Sequence, residues 1–173
     1  MIKIHRPNLA DMPPWYPYFI NLVNGDDLID ALEENKKELI GLISSIPYEA
    51  EEFSYAADKW TIRQVFIHLA DDERYYAYKA FSYSRQSNVF LEVPRSQAYN
   101  KDFNATGRTL KDICEELISI RNASITLFRH MTNEMLDFKF PNQTENYTAR
   151  NLGWMTVGHT IHHCNLVREK YLI

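Results

Sequence analysis

The stretch TARNLGWMTVGHTIHHCNLVREK, residues 148–170, decides the fold, because it reads as a helix without a polar face. At about 100° per residue and with Leu152 set at zero, Met155, Thr156, His159, His163, Leu166 and Val167 all fall within about 60° of one direction. Trp154, Val157, Ile161 and Leu172 gather on the opposite side, and Gly153 and Gly158 permit close approach by neighbours. A helix that is apolar all round is buried on several sides. Tight packing within the chain and a subunit contact are both compatible with that pattern.

Working outward, three further stretches have helical spacing. From Asp26 the residues Leu28, Ile29, Leu32, Leu39, Ile40, Leu42, Ile43 and Ile46 recur with charges between them until Pro47. Thr61 followed by Gln64 has the capping-box spacing and opens a second helix, expected to run to about Arg85. A third runs from about Leu110 to Met131 through Ile113, Leu117, Ile120, Ile125, Leu127 and Phe128. Four long helices without strand alternation predict an all-α four-helix bundle over residues 26–173. Residues 1–25, rich in Pro and aromatic side chains, predict an extended N-terminal arm packed on the domain rather than a helix. Residues 86–105 lack a period and predict a long connection, a length of loop that is often functional.

Composition narrows the function classes. The 173 residues are 45% hydrophobic and include 5 Gly and 7 Pro, which suits a single helical core rather than a turn-rich or disordered chain. A net charge of -4 and a pI near 5.9 lack the basic clustering that nucleic acid requires. Two cysteines cannot build a disulfide framework. With no signal-peptide pattern at the start and no stretch long enough to span a membrane, a cytoplasmic location is expected.

His159 and His163, four apart on the apolar stripe, can each direct a nitrogen to one cation. Such a spacing arises by chance in about one sequence in six of this length and histidine content, so spacing does not decide the matter. Metal ligands and ordinary hydrogen-bonded core histidines both fit the residues. Buried imidazoles without partners cost on the order of 1–3 kcal/mol per unpaired group, so something polar must meet them. His162 lies about 80° from the stripe centre and reads as a flanking residue. Cys164 reads as a small buried hydrophobe.

A third ligand would have to come from another helix. His68, in FIHLADDER (residues 66–74), is the best candidate, although it sits about 120° from the Ile62, Phe66, Leu69, Ala80 stripe and periodicity would leave it at the surface. Asp71, Asp72 and Glu73 read as a solvated acidic patch. Asp72, one turn from His68, is a candidate for orienting a ligand through the ring's second nitrogen. His5 and His130 read as surface residues.

KWTIRQV (residues 59–65) running into HLADDER (68–74), and GHTIHH (158–163) later, resemble the DinB-like (YfiT-like) metalloenzyme superfamily, with SIRN (119–122) and MTNEML (131–136) similar as well. The resemblance spans about residues 28–173 and leaves out the arm. It implies a four-helix bundle, commonly a homodimer, with a divalent metal near one end held by histidines at positions 68, 159 and 163. Members similar to this chain include thiol-dependent transferases and isomerases. The expected function is therefore a metal-dependent enzyme that activates a low-molecular-weight thiol for transfer to a small electrophilic substrate. A metal-dependent hydrolase and a non-catalytic metal-binding dimer are the alternatives. Imidazole ligands suit zinc or nickel, with iron also compatible. Arg95 and Tyr99 of the long connection are candidate substrate contacts.

Overall fold

The computed structural model describes residues 2–87, 105–141 and 146–172, and the described residues are helical with no strand. The candidate contacts Arg95 and Tyr99 lie outside them. A short helix α1 (Tyr16–Ile20) precedes the long helix α2 (Leu28–Ser45). Next come α3 (Ile62–Ser84), α4 (Leu110–Arg129), the short α5 (Asn133–Asp137) and α6 (Ala149–Leu166), which continues as a π-helical turn over Val167–Tyr171. Helices α2, α3, α4 and α6 form the four-helix bundle.

Polar caps define the starts. Asp27 accepts from the Ile29 amide, Thr109 from Asp112 and Thr132 from Met135. Thr61 with Gln64 and Thr148 with Asn151 form reciprocal capping boxes at α3 and α6. The expected helices agree with these limits to within a few residues, and a short helix not expected from the periodicity starts at Asn133.

The arm is packed and partly helical rather than extended. It contains a 3-10 turn at Leu9–Asp11 as well as α1, and Ile4, Tyr16, Ile20 and Val23 are buried in the same apolar cluster as Leu152, Met155 and Val157. The Leu28 amide donates to the Ile4 carbonyl at 3.0 Å, and the Arg6 guanidinium donates to the carbonyls of Ile20, Val23 and Gly25. The indole N–H of fully buried Trp154 donates to the His5 carbonyl at 3.2 Å. The arm thus covers much of the apolar back of α6. Gly158 explains how close it comes: a Cβ there would lie 2.5 Å from the Phe19 carbonyl carbon.

Two apolar clusters fill the bundle. One joins Leu28–Leu32, Tyr76–Tyr83, Ile125–Phe128 and Ala149–Val157, and the other joins Leu39–Ile46, Ile62–Ala70, Leu110–Leu117 and Cys164–Tyr171. In every long helix the gap between them holds buried polar residues: Asn35, Asp72 with Glu73, Arg121, and His159 with Thr160. The bundle therefore has a polar layer at mid-length.

Candidate metal centre

His68 comes from the second turn of α3, and His159 and His163 come from successive turns of α6, which packs against α3. One ring nitrogen of each lies within 4.8 Å of the others. Nε2 of His159 and Nε2 of His163 face one another at 3.1 Å. The site borders the polar layer, with His159 in it and His68 and His163 beside residues of the second apolar cluster.

His68 is 5% exposed, against the surface position that its periodicity gave. The reason is that α3 is covered on most of its circumference: Val65 through Ala70 are buried without interruption, so no single stripe describes its interior face. The Trp60 ring, 4.8 Å from the His68 ring, closes over it. Trp60 is tied down in turn, because the Tyr171 hydroxyl, carried on the π-helical turn, donates to the Trp60 carbonyl at 2.9 Å.

Burial pushes the His159 imidazole well below its ordinary pKa, and the neighbouring His163, His68 and His162 add to the effect. Burial, then His68 and His162, push His163 down to about 3. Neutral rings keep lone pairs available to a cation. Two ligands at about 2.0–2.1 Å from a tetrahedral cation are roughly 3.3 Å apart, close to the 3.1 Å between the two Nε2 atoms. Nδ1 of His163 is buried without a hydrogen-bond partner. This donor set fits a divalent cation.

Asp72 is 4% exposed and no part of a solvated patch. Its Oδ2 lies 3.6 Å from Nε2 of His68 and 3.5 Å from Nε2 of His159. An orienting carboxylate would meet a ligand's second nitrogen. In this fold the Asp72 carboxylate lies near Nε2 of both His68 and His159, the latter being the nitrogen that faces His163. Asp71 does remain half-exposed beside Arg74.

The other candidates separate cleanly. His162 points away, with its Nδ1 3.1 Å from the Tyr18 hydroxyl. Cys164 is buried, and burial raises its thiol to about 12. His5 pairs with Asp26 at the surface, and exposed His130 caps α4.

The sequence reading missed a neighbouring network. Fully buried Arg121 forms a forked pair with Glu73, at 2.8 and 2.9 Å, and donates to Asn35 Oδ1 at 2.7 Å and Thr160 Oγ1 at 3.1 Å. Glu73 adjoins Asp72 and Thr160 adjoins His159, so this network fixes both helices where they carry the site. A signal was present: Arg121 stands between Leu117 and Ile125, four residues from each, inside an apolar stripe. Also missed were the rings around the imidazoles, Phe19 at 5.7 Å and Tyr76 at 5.9 Å from His159.

The family model of the DinB superfamily matches residues 31–167, and the chain belongs to that superfamily. Among solved structures the chain is similar to YfiT from Bacillus subtilis, described as a probable metal-dependent hydrolase with an unusual four-helix bundle topology. That likeness has a TM-score of 0.68 at 18% identity and covers 95% of this chain and 92% of the other. No curated protein matches the sequence. Among the described residues, no helix is long and apolar enough to cross a membrane.

Proposed function

We propose that this chain is a divalent-metal-dependent enzyme in which His68, His159 and His163 hold the cation and Asp72 serves the nucleophile. The observation that carries the reading is the convergence of three imidazole nitrogens from two helices within 4.8 Å. Three neutral ligands leave the cation's charge uncompensated and a position open. When bound, the cation supplies Lewis acidity that acidifies a nucleophile and polarises an electrophile. Asp72 Oδ2, facing the same point, accepts the proton that the nucleophile gives up. Trp60, Phe19 and Tyr76 place rings beside the imidazoles and restrict how a substrate approaches. Zinc or nickel suits the ligand set, and iron is also compatible.

Hydrolysis, with water as the nucleophile, makes direct use of the Asp72 carboxylate. Transfer of a low-molecular-weight thiol to an electrophile is the second reading. In that reading the thiol would come from outside the chain, because Cys114 and Cys164 are both buried.

Elemental analysis of protein purified from metal-replete medium tests the metal reading. About one divalent ion per chain is expected, falling to near zero in His159→Ala; metal-free native protein would reject it. A panel of activated esters and amides, run beside thiols with electrophiles, then separates the reactions. Metal-dependent turnover of one group and not the other decides between water and thiol, and inertness toward both would favour a binding role.

A further inference from the structure

We infer that the N-terminal arm is a wall of the substrate pocket, and that its Phe19, together with Trp60, selects substrates bearing a neutral aromatic or hydrocarbon group. The inference rests on the metal-site reading above. The arm lies outside the 31–167 family match, so membership in the superfamily says nothing about it.

Three observations carry it. First, the arm reaches the site: the Phe19 ring is 5.7 Å from His159 and 5.3 Å from His162, and the Tyr18 hydroxyl meets His162 Nδ1 at 3.1 Å. Second, its place is fixed. Gly158, one residue before His159, admits the Phe19 backbone directly onto α6, and Arg6 ties together the carbonyls of Ile20, Val23 and Gly25 just beyond it. Third, among the described residues, aromatic rings crowd the imidazoles. Rings approach from three elements, Phe19 from α1, Trp60 from the loop before α3 and Tyr76 from α3. The Asp72 carboxylate lies 3.6 Å from Nε2 of His68 and 3.5 Å from Nε2 of His159. An apolar ring gains by packing against these rings, whereas a carboxylate carried on it would give up hydration on entering among them. Phe19 is only partly buried and Tyr18 is exposed, which leaves this side open to a ligand.

The test uses the full chain loaded with cobalt(II), whose visible absorption reports ligands that join the metal. Acetohydroxamate, benzohydroxamate and 4-carboxybenzohydroxamate share one metal-binding head and differ in the group they would place against Phe19. Benzohydroxamate is expected to bind roughly tenfold tighter than acetohydroxamate, and the added carboxylate to remove much of that gain. Phe19→Ala should bring the benzo-to-aceto ratio close to one while cobalt stoichiometry and acetohydroxamate affinity stay unchanged. Phe19→Leu, which retains apolar bulk and protects the fold, should lie between. Equal binding of the two simple hydroxamates by the native chain, or an unchanged ratio in both variants, overturns the inference and leaves the metal site standing. A chain that takes up no cobalt overturns the metal reading and this inference with it.

Discussion

Burial sets the protonation of the site histidines, and with it the pH response of the metal-free chain. His163 sits near 3 in the fold against an ordinary 6.5, and His159 is lowered too. Between those limits the unfolded chain binds more protons than the folded one, so stability is lost as pH falls. The two residues' contribution is complete above about pH 6.5 and declines toward pH 3; urea titrations of metal-free protein between pH 7 and 4 should show a falling midpoint, and His163→Phe should flatten the fall. Asp72 gives a second residue-scale prediction. Asp72→Asn keeps the shape but removes the proton acceptor, so turnover should drop by roughly 10²–10⁴-fold with metal still bound. Loss of metal together with activity would show instead that the carboxylate is needed to retain the cation.

At the scale of elements, α6 carries two ligands on one face and the arm on another, and small changes separate these duties. Gly158→Ala places a Cβ against the Phe19 backbone and should cost about 1–3 kcal/mol by overpacking. Limited proteolysis should then cut the arm before the bundle. The helix itself was legible as a buried element because it has no polar face, and its start was legible in Thr148. What covered its back was not legible: Trp154 and Val157 pack apolar surface whether the partner is a second subunit or residues 1–25. The tertiary structure shows the arm there, with the His5 carbonyl accepting from the Trp154 indole.

For the whole molecule, the polar layer between the two apolar clusters joins stability to the site. Breaking the buried Arg121–Glu73 pair by Glu73→Gln should cost about 3–5 kcal/mol, whereas replacing both partners with apolar residues of similar volume, Arg121→Met with Glu73→Leu, should recover most of it. Chemical denaturation of the single and double variants checks the difference. Cation binding only to the folded chain should add about 2.7 kcal/mol at a hundredfold excess over its Kd. The melting temperature should therefore rise with added metal and fall back with chelator, and His68→Ala should abolish the response.

The sequence alone determined the four long helices, the capping box at Thr61 and the shared face of His159 and His163, because helical periodicity and capping are local: each depends on residues within a turn or two along the chain. The burial of His68, the turn of Asp72 toward the converging nitrogens and the ring that Phe19 brings from the arm were decided by the tertiary structure. Each depends on which segments, distant in the chain, are brought side by side, and one helix's own periodicity carries no record of the neighbours that will cover it.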